Sequence, residues 1–369
     1  MQTIQKILPV SLPYQFLPDK SIHDSDLLLF DIETTGFSPD ITSIYLIGCC
    51  YYQNNSWNLL QFFADDYISE EMILKSFISL AKKFRIMVHF NGSGFDIPYI
   101  QKKLAHYNID FSFDSFLHLD LYKKVFPYKK ILNLPNLKQK TVEGFLGLPR
   151  EDAYSGGELI EVYVNYMKDK FGHKREMEEE FQKLLLHNEE DVTNLIRLTS
   201  ILAYCDIFEE QPALTDITQN NNEIVFSLQL RNPIQQMVSF QTPDLHFRAV
   251  HNTAELVIHA ITGTFKYFYP NYKDYYYLPQ EDTAIHKSVA EFVDKEYRVK
   301  AKAATCYTKK SGTFLPQFYG TLEPSFRNEH KDKESYLELT DTFLSNPEKC
   351  AQYVMSILQY IRNKASKSK

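Results

Sequence analysis

The chain has 369 residues, 44% hydrophobic and 24% charged, a size and balance suited to two globular domains and not to a disordered or fibrous chain. Its 40 basic and 47 acidic residues leave a net charge of −7, which argues against a basic protein that grips polyanions without selectivity. Residues 1–214 hold 21 basic and 30 acidic residues and 215–369 hold 19 and 17, so the acidic excess lies in the first part.

Residues 1–25 begin with a proline-punctuated stretch of no clear period and read as an N-terminal arm on the surface. Strands are expected at 27–33, 43–52 and 56–63, the last two joined by a turn at Gln53-Asn54-Asn55. Helical spacing at 68–84, with Ser69 as a cap, precedes a short buried strand at 85–91. A helix at 95–107 follows, with Pro98 in its first turn. Helices at 141–147, 158–171 and 176–205 complete an α/β domain over 26–205, a mixed sheet flanked by helices. Periodicity is lost over 206–222, where Pro, Gln and Asn gather, and a linker is placed there. Residues 223–369 read as a smaller α+β accessory domain. Its expected elements are strands at 223–230, 244–252 and 254–268, a helix near 283–295, a hairpin over 303–318 and a helix at 347–364. No charged-then-apolar leader opens the chain and no apolar run approaches ~18 residues, so neither secretion nor membrane spanning is expected. Cys49, Cys50, Cys205, Cys306 and Cys350 lack zinc-site spacing and read as reduced thiols of a cytoplasmic protein.

Three segments carry chemistry. In LLLFDIETTGFSPD (27–40), Asp31 and Glu33 point to one face of a strand while Phe30 and Ile32 point to the other. Two like charges on a buried face are costly without a cation between them. In HFNGSGFDIPYI (89–100), a strand ends at Asn91, Gly92 and Gly94 allow close backbone approach, and Asp96 opens a helix, where it can also serve as a simple cap. In LLLHNEEDVTNL (184–195), His187 and Asp191 share a helix face one turn apart, Asn188 falls on the apolar stripe, and Glu189 and Glu190 are expected to face solvent. Four carboxylates gathered without arginine partners would repel and take up protons at neutral pH. Divalent Mg²⁺ or Mn²⁺ resolves that cost, because hard cations suit oxygen ligands.

DIETTG, FNGSGFDIPYI and HNEEDV, in this order, resemble the three exonuclease motifs of the DEDD 3′–5′ exonuclease superfamily, which has a ribonuclease H-like fold. The second is similar to the corresponding motif in proofreading domains of family B DNA polymerases. The run at 137–167 resembles the stand-alone YprB-like ribonuclease H-like proteins. The resemblance covers roughly 26–205 and implies a two-metal phosphodiester hydrolase acting on single-stranded 3′ ends of DNA or RNA. Asp31 would then bridge two Mg²⁺ or Mn²⁺ ions, Glu33 and Asp191 would serve the ion carrying the attacking water, and Asp96 would hold the other. His187 would be the general base, Asn91 would hold the Asp96 loop or the substrate, and Thr34, Thr35 and Gly36 would meet the terminal nucleotide. Phe37 would wedge against the last base, the alternative being a buried loop aromatic. One departure stands out. Family members with three residues between base and aspartate use tyrosine, and this chain has the shorter histidine there. The alternative from another class is a nucleic-acid or partner-binding protein on the same fold that has lost turnover.

Other segments are weaker signals. His118 and Asp120 alternate on an expected strand, either as core or edge packing or as structural neighbours of the site. Lys138 and Lys140 can meet phosphate or simply solvent. The run at 265–279 interleaves aromatics with lysines, either as a single-strand platform or as the core of a tyrosine-rich sheet.

Overall fold

The computed structural model describes residues 1–16, 21–170, 172, 174–320 and 322–367. Two compact units emerge, Met1–Cys205 and Asp206–Lys369. In the first, the elements run β1 (Gln2–Leu8), β2 (Leu27–Thr34), β3 (Ile44–Gln53), β4 (Ser56–Phe63), α1 (Glu70–Ala81), β5 (Ile86–His89), α2 (Asp96–His106), β6 (Leu117–Asp120), α3 (Leu121–Val125), α4 (Gln139–Phe145), α5 (Gly156–Asp169) and α6 (Lys174–Leu198). A further helix, α7 (Leu202–Glu209), contains the division between the units. The expected helix at 158–171 ends on a residue outside the described ones.

The six strands form one mixed sheet in the order β1-β4-β3-β2-β5-β6. β1 to β4 pair antiparallel and β5 and β6 join β2 in parallel. The β3–β4 pair is the expected hairpin, with Asn54 and Asn55 both at positive φ, the conformation a tight primed turn requires. Phe30 of β2 meets Phe77 of α1 and Phe113 on one face, while the other face lies under α6. Of the sequence-based expectations, the arm differs most. Residues 2–8 are an edge strand on β4, largely exposed, and main-chain pairing holds them where the side-chain pattern is silent. The long helix expected to 205 is interrupted by a 3₁₀ turn at Thr199–Ile201, where Thr199 Oγ1 donates to the Ile196 carbonyl at 2.7 Å.

The second unit contains β7 (Ala213–Asn220), β8 (Glu223–Gln241), β9 (Leu245–His259), β10 (Ile261–Phe268), β11 (Tyr275–Leu278), β12 (Thr283–His286), α8 (Lys287–Ala290), β13 (Val299–Lys300), β14 (Tyr307–Gln317), β15 (Ser325–Arg327), β16 (Ser335–Glu338), α9 (Asp341–Leu344) and α10 (Pro347–Lys367). It builds a β7-β8-β9 sheet, a small closed barrel of β10-β14-β16-β15 and a β12-β11-β13 sheet. The segment read as linker thus contains β7, and the helix expected near 283–295 is a strand with one helical turn, because Thr283–His286 pairs in register with β11. Among the described residues no helix is long and apolar enough to cross a membrane. All five cysteines are buried thiols outside any disulfide.

Candidate active site

Asp31 and Glu33 project from β2 on the face covered by α6, Asp31 partly exposed and Glu33 buried. The β2–β3 register shifts between Glu33 and Thr34, so the strand leaves its partner just after the carboxylates. α6 lies low over this point. Asn188 is fully buried, donates from Nδ2 to Asp31 Oδ2 at 3.3 Å and accepts from Gln61 Nε2 at 3.1 Å. Gly48, the β3 partner of Asp31, permits this approach: a Cβ there would come within 2.0 Å of Asn188 Oδ1.

Asp96 opens α2 and is buried, and its Oδ1 accepts the Ile32 N–H at 3.2 Å, which ties it to the strand between the other two carboxylates. The loop before it is held from β6. Asp120 accepts the N–H of Asn91 at 2.9 Å and of Ser93 at 3.4 Å. Asn91 itself has φ +62°, a left-handed conformation that asparagine tolerates, and its side of the loop is exposed. His118 and Asp120 therefore sit in the support of this loop, with His118 Nδ1 3.4 Å from Nε2 of the buried His89.

His187, Glu190 and Asp191 occupy one face of α6 at spacings of three and four. His187 is buried, its Nε2 lying 3.5 Å from Glu33 Oε1 and 3.2 Å from Asp191 Oδ2, and its Nδ1 2.7 Å from Asp152 Oδ2. Ligand atoms of Glu33, His187 and Asp191 lie within 4.8 Å of one another. The structure thus brings together the five residues picked from the motifs, and adds others.

Asp191 does have an arginine partner, contrary to expectation: Arg150 Nη1 lies 2.6 Å from its Oδ1. Arg150 comes from the loop between α4 and α5 and also pairs with Glu143 at 3.1 Å and Asp152 at 3.1 Å. Glu190 does not simply face solvent, because its two oxygens accept the N–H groups of Glu151 and Asp152 at 2.8 and 2.9 Å. Glu189 pairs with Lys6 of β1. Lys140 meets Asp152 at 2.9 Å, so it serves a carboxylate in place of phosphate or open solvent. The charged run Arg150-Glu151-Asp152 was the available signal for this loop, but nothing in its spacing ties it to residues near 190.

Charge follows from burial. Asp31 is pushed well above the usual carboxylate range by desolvation, then by Asp96, Asp191 and Glu33. Burial likewise lifts Glu33 to about 8, although His187 opposes it, and Asp96 to about 7 against its backbone hydrogen bonds. Asp191 is desolvated too, yet His187 and Arg150 hold it low. Burial would lower His187, but Asp191, Glu33 and Asp152 carry it up to about 9.

Beyond β2, Thr34 Oγ1 donates to the Gly36 carbonyl at 2.8 Å and the Thr35 N–H to Ser43 O at 2.8 Å. At Gly36 a Cβ would meet Thr42 Cγ2 at 2.7 Å. Phe37 is 80% exposed with its ring edge toward Phe95, so it is not a buried loop aromatic. In the second unit, Phe265 belongs to one apolar cluster with Tyr267 against it, and Tyr269, Tyr275 and Tyr277 pack on another, so these tyrosines are half-buried at the edges of small cores.

A family model of the RNase H superfamily matches residues 28–203. With the mixed sheet and its flanking helices, the fold of the first unit is ribonuclease H-like. Among solved structures, the chain is similar to a family B DNA polymerase from the hyperthermophilic archaeon Pyrobaculum calidifontis, at 12% identity and a TM-score of 0.36, covering 65% of this chain and 33% of that one. It is also similar to E. coli exonuclease I in a zinc-bound complex with single-stranded DNA, at 15% identity and a TM-score of 0.28, covering 55% of this chain and 54% of that one. This chain therefore spans a third to about half of the length of those proteins. No curated protein matches the sequence.

Proposed function

We propose that the chain is a metal-dependent 3′–5′ exonuclease that hydrolyses phosphodiester bonds of single-stranded DNA or RNA and releases nucleoside 5′-monophosphates. The observation that carries this reading is the gathering of Asp31, Glu33, Asp96 and Asp191 on a ribonuclease H-like sheet, with His187 against Glu33 and Asp191. The donor set fits hard divalent ions: it is built of carboxylate oxygens, and three of its carboxyls are pushed toward the neutral form by burial and then by neighbouring carboxylates. Asp31, Glu33, Asp96 and Asp191 would hold two Mg²⁺ or Mn²⁺ ions, which supply Lewis acidity for the attacking water and the leaving 3′ oxygen. The rest falls to the chain. His187, whose raised pKa comes from Asp191, Glu33 and Asp152, would become neutral once the ions take up the charge of Glu33 and Asp191, and its Nε2, directed at both, would then take the proton released in the attack. Thr34, Thr35 and Gly36 offer the rim for the terminal nucleotide, with Asn91 on the opposite loop. Phe37, exposed beside them, stacks on the last base, a contact worth ~1–3 kcal/mol.

One observation favours a second reading, a nucleic-acid or partner-binding protein without turnover: Arg150 already neutralises Asp191. Divalent-ion titration separates the two, since the exonuclease binds two ions and the binder one or none. The direct test is digestion of 5′-labelled single-stranded DNA and RNA with Mn²⁺, with Mg²⁺ and with chelator, beside Asp31→Ala. A metal-dependent ladder shortening from the 3′ end and lost in Asp31→Ala is expected. Full activity in that variant would refute the assignment.

A further inference from the structure

We propose that Asp152 is a positioning residue for His187: from the loop between α4 and α5 it holds the imidazole by Nδ1, so that Nε2 faces Glu33 and Asp191. The distance of 2.7 Å between His187 Nδ1 and Asp152 Oδ2 is that of a hydrogen bond to an ionised acceptor. The same Oδ2 accepts from Lys140 Nζ at 2.9 Å and Arg150 Nη2 at 3.1 Å, and Oδ1 accepts the Tyr154 N–H at 3.1 Å. With every partner a donor, Asp152 stays an acceptor, and the nitrogen it engages on His187 carries its proton there.

The carboxylate is itself held in place. Glu190, three residues beyond His187, accepts the Glu151 and Asp152 N–H groups, while Asp191, four beyond, takes Arg150. One face of α6 thus receives the loop at three points, and the ring lies between them with no freedom to swing Nε2 away. Orienting partners of this kind, when removed, typically cost 10–100-fold in function.

The catalytic consequence rests on the proposed exonuclease reading, but the anchoring does not, so two readouts are taken on the full chain. The first is the His187 Nδ1–H proton resonance in metal-free protein, which a hydrogen bond to a carboxylate moves downfield and protects from exchange. It is expected in the native protein and in Asp152→Asn, whose amide oxygen the surrounding donors keep turned toward them, and lost in Asp152→Ala. The second is turnover on a single-stranded oligonucleotide. Asp152→Ala is expected to lower kcat about 10–100-fold with KM nearly unchanged, and Asp152→Asn to restore most of it. Persistence of the protected proton in Asp152→Ala overturns the proposal, as does unchanged kcat. A loss that follows Tm and is not recovered in Asp152→Asn also overturns it, leaving Asp152 as a loop fastener. If the native protein hydrolyses nothing, the exonuclease reading fails while the proton signal still decides the anchoring.

Discussion

Asp31 sits where desolvation and three neighbouring carboxylates oppose its charge, while the Asn188 amide favours it. Without cations the folded protein carries that cost, and removing one charge relieves it. Asp31→Asn is therefore expected to raise the Tm of metal-free protein by a few degrees, corresponding to about 1 kcal/mol, while reducing the further rise that Mg²⁺ or Mn²⁺ brings. Differential scanning calorimetry with and without chelator checks this; a lower Tm in the variant would mean that the carboxylate is stabilised as it stands. Gly48 acts by what it lacks. Gly48→Ala would drive a methyl into the Asn188 amide, which is fixed by Gln61 and Asp31. Overpacking of this kind costs about 1–3 kcal/mol, read as a lowered urea midpoint together with weakened divalent binding. The carboxylates and His187 stand out in the sequence because each lies in a recognisable local setting. Asp152 and Asn188 do not, since what matters about them is a partner 35 and 157 residues away.

At the scale of elements, the strands bearing the site are legible because burial leaves an apolar run, and the helices because their apolar faces recur. β1 is not: six of its seven residues are at least partly exposed, and only its ladder to β4 defines it. The short strand at Thr283–His286 is hidden for the same reason, since pairing with β11 overrides a helical spacing. The β5–α2 turn combines both kinds of information. Its glycines and Asp96 are visible, yet its anchor is Asp120 on β6, and its inner wall is His89, whose Cγ a Cβ on Gly92 would approach to 2.6 Å. Burial pushes His89 down to about 4, and His118 and Lys123 add to this against the opposing pull of Asp120. The folded state thus keeps His89 neutral where the unfolded chain, with an ordinary value near ~6.5, takes up a proton. Stability from this group is fully present above pH ~6.5 and is lost as pH falls through about 4. His89→Phe is expected to remove this component. Between pH 7 and 4 the native protein should lose about 3 kcal/mol more than the variant in urea unfolding. Parallel curves would show that His89 is charged in the fold.

At the scale of the molecule, net charge and local chemistry pull in different directions. The chain carries −7 overall, and the acidic excess lies in the part that holds the site. The cations beside the carboxylates are already engaged, Arg150 by Glu143, Asp152 and Asp191, Lys140 by Asp152, and Lys102 across the α2 surface by Asp40. In the second unit, lysines of the barrel are matched in the same way, Lys266 by Glu329 and Lys310 by Glu338, and Tyr267, Tyr269, Tyr275 and Tyr277 pack, half-buried, against apolar clusters. If a single strand binds at the carboxylates, it meets Arg150 and Lys140 already paired there, and little is gained from released counterions. For single strands the slope of log K against log salt is about −0.7 per phosphate neutralised. Binding to a non-cleavable oligonucleotide should therefore show a slope shallower than about −2, corresponding to fewer than three phosphates, and should depend steeply on Mg²⁺ or Mn²⁺. Fluorescence anisotropy over a salt series, with divalent ion and with chelator, measures both. A slope of about −4 that is unaffected by chelator would place recognition on a basic groove remote from the carboxylates; a shallow slope that vanishes with chelator ties binding to the Asp31, Glu33, Asp96 and Asp191 cluster.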